Sequence, residues 1–142
     1  MSSGEPQSAG LLDTSVVIVL EQLSPAQLPG RLLISTLTLA ELAVGPLVAT
    51  TEEERAVRTA RLRQVEADLD TVPFDDQAAR AFGVVAASMG RRGRKPTARS
   101  LDAAIAATAL ANGLALYTAN PDDVLGIDGL DVVTVPPVDR SS

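Results

Sequence analysis

The stretch from Leu101 to Asn112, Leu-Asp-Ala-Ala-Ile-Ala-Ala-Thr-Ala-Leu-Ala-Asn, constrains the fold more than any other. It reads as a helix that is apolar almost all round, and a helix without a polar face is normally buried. Most of its side chains are Ala, so it can lie close against a sheet. Asn112-Gly113 ends it, because Gly takes up the left-handed conformation of a helix C-terminus without a steric penalty. A short strand, 114 to 117, follows. Asn120-Pro121-Asp122-Asp123 then reads as the start of another helix, with an Asn cap, Pro in the first turn and acids behind it. Asp102 does not suit a buried helix. A carboxylate there must be paired, capping or bound to metal, since an isolated buried charge is costly.

The rest of the chain alternates strands with helices. Leu11-Leu12-Asp13 closes a first strand, and a helix is expected over 15–22. A second strand spans 31–34, and Ser35 or Thr36 caps a helix reaching about Leu47. Thr51 and Glu54 have capping-box spacing and open a charged surface helix carrying Arg55, Arg58, Arg61 and Arg63. A third strand is expected over 71–74. Asp75 or Asp76 caps the next helix, which has Ala78, Phe82, Val85 and Met89 on one side and ends at Gly90. The last strand, 131–135, is stopped by Pro136-Pro137. This alternation predicts an α/β fold, a parallel sheet covered by helices on both faces. With 142 residues, one domain over 10–137 is expected, with 1–9 and 138–142 as tails.

The chain has no Cys and no His. That excludes disulfides, thiolate chemistry, Ser-His-Asp triads and the usual zinc ligands. Carboxylates without His or Cys favour a hard cation such as Mg²⁺ or Mn²⁺. The net charge of −6 argues by itself against a nucleic-acid partner, but the charges are unevenly placed. Arg91, Arg92, Arg94, Lys95 and Arg99 follow one another with no acid between Asp76 and Asp102. They form a local positive arm on an acidic chain. Phe74, Phe82 and Tyr117 are the aromatic residues, too few for a base-stacking platform. No apolar run approaches a membrane span, and the first ten residues lack the basic start and apolar centre of a secretory signal. A cytoplasmic protein is expected.

Three acids stand out. Asp13 comes where the first apolar run stops, and in an open parallel sheet ligands bind at the carboxyl ends of the strands. It can equally be the cap of the following helix. Glu41 shares a helical stripe with Leu37, Val44 and Val48, where an acid is less common than on the wet face. A salt bridge at the rim of the core is the alternative. Asp102 is the third. Two carboxylates about 4 Å apart at an effective dielectric near 20 repel by about 4 kcal/mol. A divalent cation would offset that and activate water for attack on phosphorus.

Leu-Leu-Asp-Thr-Ser (11–15), Ala-Glu-Leu-Ala-Val-Gly (40–45), Leu-Asp-Ala-Ala-Ile-Ala-Ala-Thr-Ala (101–109) and Leu-Tyr-Thr-Ala-Asn-Pro-Asp-Asp-Val (116–124) occur in that order. Together they resemble the PIN-domain ribonucleases, specifically the VapC-type toxins of bacterial toxin–antitoxin pairs. The resemblance implies a five-stranded parallel sheet in a three-layer α/β/α sandwich. It implies Mg²⁺- or Mn²⁺-dependent endoribonuclease activity leaving 5′-phosphate and 3′-hydroxyl ends. It also implies a homodimer and a small VapB-type antitoxin that wraps over the toxin. Carried over residue by residue, Asp13, Glu41 and Asp102 match the metal-binding acids. The family often has a fourth acid after the fourth strand; here Asn120 takes that place, with Asp123 one turn later. Thr14 and Thr118 are candidates for orienting water or a ligand. The arm, Arg91 to Arg99, would neutralise RNA phosphates without reading bases. Two other readings use the same residues: another Mg²⁺-dependent phosphohydrolase, and a catalytically lapsed RNA- or antitoxin-binding module.

Overall fold

A computed structural model describes residues 8–91 and 100–136. Residues 1–7 of the expected tail over 1–9, the expected tail over 138–142, and Arg92, Arg94, Lys95 and Arg99 of the basic arm lie outside the described residues. Five strands, β1 (Ala9–Leu12), β2 (Arg31–Ser35), β3 (Asp70–Val72), β4 (Ala115–Thr118) and β5 (Val132–Thr134), alternate with helices α1 (Thr14–Ile18), α2 (Thr36–Val44), α3 (Glu52–Asp68), α4 (Asp76–Arg91) and α5 (Ser100–Ala111). β1 begins at Ala9, within the expected tail. The helix expected over 15–22 is one turn and a half of α-helix, with a 3-10 turn at Leu20–Gln22. α4 runs one residue past Gly90.

All strand pairs are parallel, in the order β3-β2-β1-β4-β5. The chain builds outward from β1 to β3, then returns to the other side of β1 for β4 and β5. The connections after β1 and β4 therefore diverge, which opens a crevice at the carboxyl edge between them.

Side chains alternate across the sheet and divide the core in two. Leu11, Leu33 and Leu116 meet α4 and α5 through Val85, Met89 and the Ala-rich run. Leu12 and Ile34 meet α1, α2 and α3 through Val16, Val17, Leu42 and Val65. Residues Ala103 to Ala109 are all buried, because α5 is enclosed by the sheet and by α4. Thr108 is tolerated there by donating to Ala104 O at 2.9 Å, a bond back into its own helix. Gly113, with φ of 65°, supplies the expected stop. Among the described residues no helix is long and apolar enough to cross a membrane.

Tyr117 sets a tight limit on β1. A Cβ at Gly10 would lie 2.5 Å from Tyr117 Cε1 and 2.9 Å from Pro29 Cγ. Both neighbours are rings with little room to give. Gly10→Ala is expected to destabilise the fold by about 1–3 kcal/mol through overpacking. Urea unfolding measures this, and an unchanged midpoint would mean the ring is not held against the strand.

Candidate active site

In a parallel sheet each helix runs antiparallel to the strands it joins, so helix N-termini gather at the carboxyl edge. Asp13, the residue between β1 and α1, is placed there. Its backbone N–H donates to Tyr117 O at 3.0 Å, an extension of the β1–β4 ladder. Its side chain is the cap that the sequence allows: Oδ1 accepts from Val16 N at 3.2 Å and from Ser15 Oγ at 2.5 Å. Among the described residues both bonds go to Oδ1, so the cap leaves the second oxygen for other use. Cap and ligand are compatible roles for one carboxylate.

Asp102 reaches the same edge because α5 starts there. It lies in the first turn of α5 and is exposed, whereas the next seven residues are buried. The helix is buried as read, but its N-terminal turn projects to the crevice, and the carboxylate does not enter the core. Asp13, Asp102, Asn120 and Asp123 line one cavity of about 220 Å³, with Thr14, Ser15 and Ile18 in its wall. Residues from near both ends of the chain thus share one depression at the β1/β4 switch point. Among the described residues no three acids stand close enough to hold a bare cation by themselves.

Asn120 does not cap as its sequence context suggests. Its side chain makes no capping bond, and Pro121–Asp123 forms a single 3-10 turn in place of a helix. Instead its backbone N–H donates to Thr118 Oγ1 at 3.0 Å. Thr118 is buried, so this hydroxyl shapes the turn that carries Asn120 and Asp123. Asp75, by contrast, is a cap only: Oδ1 accepts from Ala78 N at 3.0 Å.

Glu41 lines a different cavity from Asp13, Asp102 and Asp123. It is five residues beyond Thr36, about 7.5 Å along the helix axis at 1.5 Å per residue. It lines an adjoining cavity of about 630 Å³ formed with α3, whose wall includes Leu42, Val57, Arg58 and Arg61. Thr14 and Ile18 belong to both cavities. The stripe of Leu37, Glu41, Val44 and Val48 is not the inward one. Val44 and Val48 are 51% and 59% exposed, and the buried residues of α2 are Thr38 and Leu42. The helix ends at Val44, and the 3-10 turn at Gly45–Val48 contains Pro46, so the periodicity drawn through Val48 crosses a change of helical phase. Glu41 is half-buried, and Thr14 Oγ1 donates to its Oε1 at 2.5 Å. Arg58 sits in the same wall but bonds to Glu54 and to Gly45 O, both at 3.0 Å.

Two hydroxyl residues matter more than the sequence suggested. Ser15 Oγ accepts from Ala119 N at 3.0 Å, a contact over 104 positions that ties the loop after β4 to Asp13. Thr38 is fully buried, with Oγ1 at 3.2 Å from Thr14 Oγ1. Thr38 carried one usable sign: it precedes Glu41 by three residues and so shares its side of α2. Of the basic residues, Arg91 is the exposed last residue of α4.

The chain belongs to the PIN-domain family, whose description as a PIN domain matches residues 11–125. It is 41% identical over 131 residues to Ribonuclease VapC5 of Mycobacterium tuberculosis, covering 90% of this chain and 94% of that one. It is 30% identical over 129 residues to Ribonuclease VapC1 of Rickettsia felis, covering 88% and 95%. Among solved structures it superposes on a VapBC-family toxin–antitoxin structure, VapBC-5 of M. tuberculosis, with a TM-score of 0.80 and 38% identity over 90% of this chain and 99% of the other. The five-stranded parallel sheet between helical layers agrees with that neighbour.

Proposed function

We propose that this chain is a divalent-metal-dependent endoribonuclease and the toxin of a toxin–antitoxin pair. One observation carries the reading. Asp13, Asp102, Asn120 and Asp123, drawn from both halves of the sequence, line a single cavity at the switch point of the sheet. They do so in a chain whose relatives over nine-tenths of its length are named ribonucleases.

The donors in this cavity suit a hard cation, since carboxylates and an amide oxygen are present and His and Cys are absent from the chain. With no three acids grouped closely enough for a closed cage among the described residues, the set suits an ion that keeps part of its water shell. Mg²⁺ dehydrates reluctantly and is usually held by one or two carboxylates plus substrate phosphate, not by a closed protein cage. Asp13 and Asp102 would hold Mg²⁺ or Mn²⁺, with Asn120 or Asp123 beside them. When bound, such an ion lowers the pKa of coordinated water and offsets charge on a phosphodiester in the transition state.

The chain's own groups do the positioning. Ser15 and the Val16 N–H fix the Asp13 carboxylate in one orientation. Asp102 contributes a charge from an exposed helical turn, reachable by an extended RNA backbone. Glu41, held by Thr14 of the wall that the two cavities share, would orient the ion's waters or the nucleophile. Arg91, with Arg92, Arg94, Lys95 and Arg99, would contact phosphates and add affinity without base reading. A homodimer, a VapB-type antitoxin and a cytoplasmic location complete the proposal.

The test is to incubate the purified chain with total cellular RNA and Mn²⁺ and to map new 5′-phosphate ends. Discrete new ends are expected, lost on chelation. They should also be absent when the chain is coexpressed with the small open reading frame directly upstream and purified as a complex. Cleavage that survives chelation, or no new ends with Mg²⁺ or Mn²⁺, would overturn the reading.

A further inference from the structure

Asp13-Thr14-Ser15 sends its three side chains to three different parts of the molecule. Asp13 lines the acid cavity, Ser15 holds the loop after β4, and Thr14 reaches α2. The proton count around Thr14 is determined by chemistry. The Glu41 oxygen accepts from the Thr14 hydroxyl, so this short bond uses the single Thr14 proton. The second hydroxyl, Thr38 Oγ1 at 3.2 Å, can then supply its own proton to Thr14, since a hydroxyl rotates to donate or accept. The direction Thr38 to Thr14 to Glu41 leaves no proton in conflict. Thr38 is wholly enclosed, so its hydroxyl has no water to turn to and its loss of freedom is built into the fold. Thr14 also stands in the wall shared by the two cavities.

We propose that Thr14, anchored by Thr38, is a positioning residue that holds the Glu41 carboxylate in register with the Asp13–Asp102 cavity. This rests on the nuclease reading and adds to it a reason why an acid set about a turn and a half into α2 can serve that site. Without the Thr14 hydroxyl, Glu41 loses its tie to the wall that the two cavities share and is free to swing away from the Asp13–Asp102 side, toward Arg61 across the larger cavity it lines, where Arg58 is already paired with Glu54.

Thr14→Val removes the hydroxyl and keeps the branched shape, while Thr14→Ser keeps the hydroxyl and loses the methyl. Misplacing a reacting group by about 1 Å costs up to ~100-fold, so Thr14→Val is expected to slow Mn²⁺-dependent RNA cleavage by about 10- to 100-fold. RNA affinity, measured without metal by fluorescence anisotropy, should change by no more than about twofold because no phosphate contact is lost. Thr14→Ser should recover most of the rate. In the Glu41→Gln background, Thr14→Val should add little, since both changes break one link and their effects are not additive. The inference is overturned if Thr14→Val cuts at the parental rate, if Thr14→Ser is as slow as Thr14→Val, or if the double variant shows the product of the two single losses.

A second readout needs no cleavage. Mn²⁺ alone should raise the Tm of the parent, by binding the folded state. Thr14→Val and Glu41→Gln should shrink that rise alike, and Thr14→Ser should restore it. If the parent fails to cut RNA but this pattern holds, the positioning role stands and the nuclease reading falls. If Thr14→Val keeps the full rise, the positioning role falls.

Discussion

Asp102→Asn is expected to lower Mn²⁺-dependent RNA cleavage by about 100-fold or more, beyond the 10- to 100-fold typical of losing a residue that only supports a metal ligand. Asn keeps the shape of Asp and one oxygen but loses the charge that a divalent ion needs. The side chain lies on an exposed first turn, so the variant should fold. It should also lose most of the Mn²⁺-dependent rise in Tm, because that rise measures binding to the folded state. Asp75→Asn is the matched control. Its Oδ1 accepts one backbone bond from Ala78, and Asn caps helices about as well as Asp, so cleavage should remain parental. Cleavage and Mn²⁺ melting curves for the two variants, measured side by side, decide the matter. An Asp102→Asn protein that cuts like the parent would remove the metal-nuclease reading at its centre.

Leu12→Ala should produce the largest loss of stability, about 2–5 kcal/mol. Leu12 is fully buried, lies on the central strand opposite Ile34 and Tyr117, and packs with Val16 and Val17 of α1. It immediately precedes Asp13, so the hollow it leaves would lie under the cap that orients that carboxylate. Cleavage should therefore fall as well, even at temperatures where the variant is folded. Leu47→Ala offers the contrast, since Leu47 is 82% exposed and its loss should stay within about 0.5 kcal/mol. Urea titrations with unchanged m-values check both. A Leu12→Ala loss below about 1 kcal/mol would mean that the face of the sheet under α1 is not packed as described.

Much of this is legible in the amino-acid order alone. The alternation of apolar runs with capped periodic segments leads to a parallel sheet covered on both faces, and Gly113 ends α5 where read. Asp13 and Asp102 reach the carboxyl edge for topological reasons: one follows a strand, the other opens a helix that must run back along the sheet. Their convergence needs only strand order and helix direction. The all-round burial of α5 follows from its lack of a polar face.

Other features depended on the tertiary fold. The periodicity of α2 identifies which residues share a side but not which side turns inward, and the packed helix buries Thr38 and Leu42 while leaving Glu41 half-buried and Val44 exposed. The partners of Thr14 lie 24 and 27 positions away, and Ser15 meets Ala119 across 104. A hydroxyl is short and suits almost any environment, so its type and spacing say little about which distant group it will bond. The separation of Glu41 into its own cavity depends on how far α2 advances along its axis before α3 packs over it. The sequence alone determined the class of fold and which carboxylates arrive at its edge, because those follow from local chemistry and chain direction. Only the packed structure decided how the hydroxyls link them, because such bonds form between surfaces that meet only once the chain has folded.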